Sequence, residues 1–427
     1  MCYDIGIVDL YIRKQSPHER NSVMNNIHIA DRMELVHSDI RGPLFVEALE
    51  MQARGIDILK LNTGNPAAFG FPLPESIRSA IEGHTHEALG YCDFKGMPAA
   101  RQAICDYESS KGIQGLTPDD IFIGNGVSEV VTFALLPLLN PGDEVLIPMP
   151  SYSLWGNSVR IGSGTPVFYR CDEASEWNPD MKDVEAKINS HTRAIVIINP
   201  NNPTGALYPR EILEGFVKLA REHNLLIFAD EIYDQLVMGD VKHISIASLA
   251  PDLPVVTMNG LSKSHSLCGY RCGWMAISGP RELTADYRNG IVKLTSMRLC
   301  SNALAQLVIP AALSDRVTPK AMVSPGGRIY EQSRATVEEI EKIDGLTVVP
   351  NKAAFYVFPK LDIKKFGITD DRKFARDLLH GTNILIVPGS GFDWPDPDHF
   401  RIVMLPEADK LRDALRRIGT FLDGYHA

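Results

Sequence analysis

The 427-residue chain lacks most of the features that would assign its class at a glance. Its seven cysteines stand apart at positions 2, 92, 105, 171, 268, 272 and 300, with no C-x-x-C pair. An odd, scattered set favours neither a disulfide framework nor a zinc site, and fits a reducing, cytoplasmic home. No apolar run approaches the ~18 residues that a membrane-spanning helix needs. No basic block or stripe marks a nucleic-acid surface, and the net charge of −10 bears on solubility alone. His84 and His86 have no third ligand at helix spacing, so no metal is expected. There is no internal repeat and no low-complexity tract.

What is present is ordinary globular composition, 44% hydrophobic and 22% charged. Residues 1–30 carry Asp4, Asp9, Arg13 and Lys14 and no signal-peptide core, and are expected to be a poorly packed extension. Residues 31–55 read as helical with a break at Gly42-Pro43. A short strand, Ile58–Leu61, then leads to Asn62-Thr63-Gly64-Asn65-Pro66, where Gly64 either admits a ligand to the backbone or is a plain turn glycine.

From about residue 117, short apolar runs alternate with helices. The runs are Ile121–Ile123, Glu144–Ile147, Arg193–Ile198, Leu225–Ala229 and the stretch from Val256. Such runs predict a mostly parallel sheet covered on both faces. Ligands of such sheets sit beyond the carboxyl ends of the strands. Gly126, Tyr152, Asn202, Asp230 and Lys263 all fall just past a predicted strand end, which argues for one site. The turn before Val127 and Ser128 offers free backbone N–H groups to a phosphate, although Ser128 serves equally as a helix cap. It matches neither G-x-x-x-x-G-K-[ST] nor G-x-G-x-x-G.

Lys263 is expected in an exposed loop between two strands. A lysine there suits a Schiff base, and Arg271, between Gly269 and Gly273, suits a phosphate clamp. After Trp274 the pattern becomes α+β. It reads as a helical region over 281–343, strands near 347–349, 355–358 and 384–387, a helix at 371–381, a strand at Phe400–Met404 and a final helix at 407–423. Arg401 lies in that strand pattern, where a lone arginine is usually solvated.

Three runs together resemble a known family. They are Asn199-Pro-Asn-Asn-Pro-Thr-Gly205, Asp230 to Tyr233, and Ser262-Lys263 with Gly269, Arg271 and Gly273. In order and spacing they resemble the fold-type-I pyridoxal-phosphate aminotransferases, over about Arg41 to Tyr425. Asp39–Pro43, Gly124–Glu129, Ser296–Cys300 and Trp394–Arg401 look most like the bacterial glutamate–pyruvate (alanine) aminotransferases within that family.

The resemblance implies an α/β fold-type-I architecture. A large, mostly parallel seven-stranded sheet domain at 76–320 would stand beside a smaller α+β domain at 321–427, joined by 31–75. It implies pyridoxal 5′-phosphate as cofactor, and reversible amino transfer between L-alanine or a similar small amino acid and 2-oxoglutarate. The partners would be amino acids and 2-oxo acids, in a homodimer, with no nucleic acid and no membrane.

Lys263 would hold the cofactor and then move the Cα proton, which calls for a depressed pKa. Asp230 would face the pyridine nitrogen, Tyr233 and Asn202 the phenolic oxygen, and Tyr152 the ring face. Arg271, Ser262, Val127 and Ser128 would hold the phosphate, with Tyr91 reaching in from a second subunit. Arg401, Asn202 and Gly64 would bind the substrate α-carboxylate. Gly260 departs from the Ser or Thr that many relatives carry as a phosphate ligand. Arg298, with Arg41 as its rival, is expected to meet the distal carboxylate of glutamate. Another amino donor, or β-elimination from a cysteine conjugate, stays open. A regulatory cofactor-binding protein would carry a DNA-binding domain that 30 residues cannot supply.

Overall fold

The computed structural model describes residues 26–427. Most of the expected extension over 1–30 therefore lies outside the described residues. Apolar runs form the expected central sheet. Its strands are β1 (Ile121–Asn125), β2 (Glu144–Met149), β3 (Thr165–Asp172), β4 (Asn178–Pro179), β5 (Thr192–Ile198), β6 (Leu226–Asp230), β7 (Val255–Gly260) and β8 (Cys272–Ser278).

Their spatial order is 1-8-7-6-5-2-3-4. Neighbours from β7 through β3 are parallel, while β8 runs antiparallel to both β1 and β7. The sheet thus has eight strands rather than the expected seven. The addition is the two-residue β4, antiparallel to β3. Pro179 has no N–H to donate to a further strand, so the sheet ends there.

Both faces are covered because successive residues of a strand point opposite ways. Ile195, Ile197 and Ile227 join a core with Leu213, Phe216 and Ala220 of the helix Arg210–His223. Val196, Phe228 and Val256 join the other core with Val130, Val131 and Trp155 from the helices Val127–Leu135 and Leu154–Ile161.

The C-terminal part has its own core. Phe374 and Leu378 of the helix Asp371–Thr382 pack with Leu411, Leu415 and Ile418 of the helix Ala408–Asp423, over Phe400 and Ile402. The strand Phe400–Val403 pairs antiparallel with Tyr356–Val357 and with Val387–Pro388. The chain's first strand, Leu59–Lys60, runs parallel to Ile384–Leu385 and so brings the 62–66 turn to this part. The predicted helical region 281–343 is five helices, beginning with Arg281–Arg298 and ending with Arg328–Ile340. Pro310, Pro319 and Pro325 fall in the short middle segments, where proline discourages one continuous helix.

Candidate active site

Lys263 does not lie in an exposed loop. β7 ends at Gly260, and the chain turns at once into the four-residue helix Leu261–Ser264, in which Leu261, Ser262 and Ser264 are buried. The turn is tight because Gly260 lies opposite Gly273 of β8, and a Cβ on Gly260 would stand 2.5 Å from the Cys272 carbonyl oxygen. In this chain, packing alone therefore excludes Ser or Thr at that position. Lys263 Nζ donates to the Gly64 carbonyl at 2.8 Å and lies 5.9 Å from the Phe355 ring. Gly64 is thus a close-approach glycine: a Cβ there would stand 2.1 Å from the Tyr356 hydroxyl.

The expected depression of the lysine pKa is not met in the chain itself. Burial lowers it, but Tyr356, Cys268 and Tyr152 together outweigh burial, and the net direction is up.

Asp230 closes β6 and is buried. Trp155 Nε1 donates to its Oδ2 at 3.0 Å, and the Ile232 amide reaches Oδ1 at 3.4 Å. Burial raises its pKa most, and the net value is pushed up to about 6. Tyr233, one turn on, shares a 2.8 Å hydrogen bond with the Tyr356 hydroxyl. Burial pushes the Tyr233 phenol well above its ordinary range. Tyr152, at the end of β2, stays partly exposed over the same opening.

Beside them is the helix Val127–Leu135, whose first turn meets Arg271. Arg271 Nη2 donates to Ser128 Oγ at 3.1 Å and to the Asn125 carbonyl at 3.3 Å, and Nη1 to the Cys268 carbonyl at 3.0 Å. Gly126, at φ +83°, makes this approach possible, since a Cβ would lie 2.3 Å from Arg271 Nη2. A helix N-terminus, a serine hydroxyl and a guanidinium converge, with buried Ser262 on the turn before Lys263.

Arg401 is the largest surprise of burial. Expected on a solvated face, it is 1% exposed. Its Nη1 donates to Asn202 Oδ1 at 3.1 Å and its Nη2 to the Asn62 carbonyl. Its guanidinium stacks on Tyr356 at 4.7 Å and Phe392 at 4.8 Å. Among the described residues Nε has no partner and no carboxylate reaches the group, and burial lowers its pKa. A buried cation without a counter-anion is costly unless an anionic ligand completes it.

Arg298 contradicts its expected role. It is spent on structure: Nη1 binds Glu129 Oε2 at 2.5 Å, Nη2 the Phe94 and Ile123 carbonyls at 3.0 and 3.3 Å, and the guanidinium lies over Phe133. Arg41 is exposed and makes no ion pair among the described residues. It follows Ile40, whose carbonyl accepts from Asn62 Nδ2 at 2.8 Å, so it stands on the segment tied to Arg401 through Asn62. Tyr91 is 83% exposed.

Sequence reasoning missed Tyr356, Trp155, Asn62 and Phe392. Trp155, three residues after Tyr152 at a helix start, offered a local hint. Tyr356, Asn62 and Phe392 offered none, because their roles arise only where the C-terminal part meets the sheet.

The set has the chemistry to hold pyridoxal 5′-phosphate. Lys263 is an amine within the site, and Asp230 a buried carboxylate short of donors. Arg271 with the helix start forms an anion cradle, and Arg401 is a second cation that nothing else neutralises.

A family model described as aminotransferase class I and II matches residues 56–418. The chain is 48% identical over 403 residues to the glutamate–pyruvate aminotransferase AlaA of Escherichia coli K12, covering 94% of this chain and all of that one. It is 46% identical over 395 residues to an alanine aminotransferase of Mycobacterium bovis, covering 92% of each. Its fold superposes on an aminotransferase from Escherichia coli with a TM-score of 0.93, at 47% identity over 94% of this chain and all of that one. On an alanine aminotransferase from Pyrococcus furiosus the TM-score is 0.88, at 35% identity over 93% of this chain and all of that one.

Proposed function

Because the chain belongs to the class I and II aminotransferase family, we propose that it moves the amino group of L-alanine, or of a similar small amino acid, to 2-oxoglutarate on pyridoxal 5′-phosphate. The observation that carries this is the buried, counter-anion-free Arg401 facing the same opening as Lys263 and the Arg271 cradle. Three cations stand against the single carboxylate of Asp230, so the ligands must bring negative charge at two ends. A cofactor phosphate and a substrate carboxylate do so.

When bound, the cofactor supplies a carbonyl carbon for amines and a ring that accepts the electron pair left at substrate Cα. The chain's residues do the rest. Arg401, aligned by Asn202 and Asn62 and stacked on Tyr356, holds the α-carboxylate by a fork and so orients Cα. Lys263 would be the amine that holds the cofactor, and its free Nζ would take up and return the Cα proton. Asp230, oriented by Trp155 Nε1, would pair with the ring nitrogen. Tyr233 and Asn202 would donate to the phenolic oxygen, and Tyr152 would cover the ring. Arg271, Ser128, Ser262 and the Val127 and Ser128 amides would hold the phosphate. The Gly64 carbonyl lines the substrate side.

The same reading divides the chain at about 30, 75 and 320 and assembles it as a homodimer. Support for the dimer is an exposed apolar patch beside the site. Leu89 is 86%, Tyr91 83% and Met297 77% exposed, and Leu299 and Leu304 are exposed as well. Arg298 and Gln306 tie this region together through the Phe94 carbonyl and Cys92 Sγ. A second copy covering the patch delivers Tyr91 to its neighbour's phosphate. Among the described residues six cysteines are free, which supports a cytoplasmic home. Among the described residues, no helix is long and apolar enough to cross a membrane.

The deciding measurement is absorbance of the purified protein. L-Alanine is expected to remove the visible band of the bound cofactor, and 2-oxoglutarate to restore it. A band that ignores alanine sinks the alanine pairing, and release of ammonia without restoration marks elimination instead. Arg41 is the remaining cation for the distal carboxylate of glutamate. Arg41→Ala is expected to raise the glutamate KM about tenfold or more, with the alanine KM unchanged. Equal changes for both substrates remove Arg41 from that role.

A further inference from the structure

Behind the Asp230–Asp234 turn lies a second polar cluster that no step above uses. Asp230 and Tyr233 face the site, while Glu231 and Asp234 point to the opposite side of the turn. There Lys111 Nζ meets Glu108 Oε2 at 2.5 Å, Glu231 Oε2 at 2.7 Å and Asp234 Oδ2 at 3.2 Å. Tyr107 donates to Asp234 Oδ2 at 2.6 Å and Asn259 Nδ2 to the same oxygen at 2.7 Å. Ser245 donates to Glu231 Oε1 at 2.7 Å, and Trp274 Nε1 to Glu108 Oε1 at 2.8 Å.

The cluster thus joins five pieces of chain. They are the end of the helix Pro98–Ser109, the Asp230–Asp234 turn, the segment of Ser245, β7 through Asn259, and β8 through Trp274. Asn259 also accepts from the Gly260 amide at 2.7 Å, one residue before the helix that carries Lys263. Among the described residues Glu231, Asp234 and His243 are close enough to share a cation, their atoms within 4.8 Å of one another. The Lys111 ammonium fills that role.

We propose that Lys111 is a positioning residue for this reaction: its buried ammonium fixes the far side of the Asp230–Asp234 turn and, through Asp234 and Asn259, the end of the strand that presents Lys263. The proposal rests on the aminotransferase reading for its kinetic arm, and on the geometry alone for its structural arm.

Three carboxylates against one ammonium leave the cluster negative, so its charge state matters to its shape. Glu108 is fully buried, and burial above all pushes its pKa up to about 7, with Glu231 and Asp234 adding to that and Lys111 opposing it. The other groups facing it are the Tyr107 phenol, under the Arg316 guanidinium at 4.5 Å, and His243 and His265 near Asp234. Glu108 therefore changes charge across neutral pH. Raising the pH through about 7 adds a second uncompensated charge and loosens the turn.

The test uses the holoenzyme with L-alanine and 2-oxoglutarate. Lys111→Met removes the charge and keeps the reach. It is expected to lower kcat about tenfold or more with the alanine KM within about threefold, and Lys111→Arg to recover most of the loss. Amide hydrogen exchange at 230–234 and 257–263 is expected to quicken in Lys111→Met while β2 and β5 stay protected. An unchanged kcat, or exchange quickened throughout the sheet, overturns the positioning role.

If Lys111→Met does not fold, Glu108→Gln decides, because it removes one carboxylate and keeps the acceptor for Trp274. The parent is expected to show an exchange-rate inflection near pH 7 at 230–234, and Glu108→Gln to abolish it. The same inflection in both proteins, or none in the parent, overturns the proposal. A parent inactive with alanine but with the expected exchange pattern refutes the substrate reading and leaves the positioning role standing.

Discussion

Lys263→Ala is expected to lower kcat for amino transfer from L-alanine by about four orders of magnitude, the upper range for loss of a positioned base. The alanine KM is expected to change far less. Lys263 contributes both the amine that binds the cofactor and the group that carries the Cα proton. Among the described residues its side chain hydrogen-bonds only the Gly64 carbonyl, at 2.8 Å, so its removal breaks no network that the fold depends on. The Arg271 cradle and Arg401 do not touch Lys263 and keep their partners. The variant should therefore fold, bind the cofactor through its phosphate and bind alanine through its carboxylate. Single-turnover absorbance after mixing with alanine reads the loss directly. A loss under about a hundredfold would place the proton on another group, and Tyr356 and Cys268 are the neighbours to examine next.

Asp230→Asn is expected to cost about a hundred- to a thousandfold in kcat, the scale of losing one preorganised electrostatic partner. The amide keeps the size and the Trp155 contact but cannot hold a positive ring nitrogen. The parent's pH dependence supplies a second, sharper readout. In the chain itself Asp230 is pushed up to about 6, chiefly by burial. The folded chain then holds a proton there that the unfolded chain has already lost. That stabilisation is fully present below about pH 4 and disappears as the pH rises through about 6. A cofactor ring carrying its own proton binds the ionised carboxylate. Cofactor affinity in the parent is accordingly expected to fall about tenfold per pH unit below about 6, as the carboxyl must first release its proton. Asp230→Asn should flatten that slope. Equilibrium dialysis of the cofactor against pH checks it, and an unchanged slope in the variant would assign the proton to another group.

Much of the site was legible because strand ends announce themselves. The apolar runs of β5, β6 and β7 stop where Asn199, Glu231 and Leu261 begin, so Asn202, Asp230 and Lys263 could be placed at one edge of one sheet before any coordinate was known. The glycines at 64, 126 and 260 were visible as letters, but their reasons were not. Each is required by a neighbour distant in sequence: Tyr356 for Gly64, Arg271 for Gly126, and Cys272 for Gly260.

The arginines show the boundary most clearly. Read locally, Arg401 belonged to a solvated strand face, yet it is buried; the resemblance offered Arg298 for a distal carboxylate, yet it is bound to Glu129. A side chain's charge is written in the sequence, but its counter-ion is not. Arg298 meets Glu129 across 169 positions, so it is neutralised. Arg401 meets only Asn202, Asn62 and two aromatic rings, so it is left waiting for an anion. Lys111, unremarkable in the sequence, becomes the hub of a buried cluster because Glu231 and Asp234 alternate with Asp230 and Tyr233 on the opposite side of one turn.

By itself, then, the sequence determined the α/β class and the family, since periodicity and short motifs are local properties of the chain. Only the tertiary structure decided which charges are compensated, which glycines are obligatory and which side chains are buried. Those depend on what packing brings within a few ångströms, and no spacing along the chain encodes that distance.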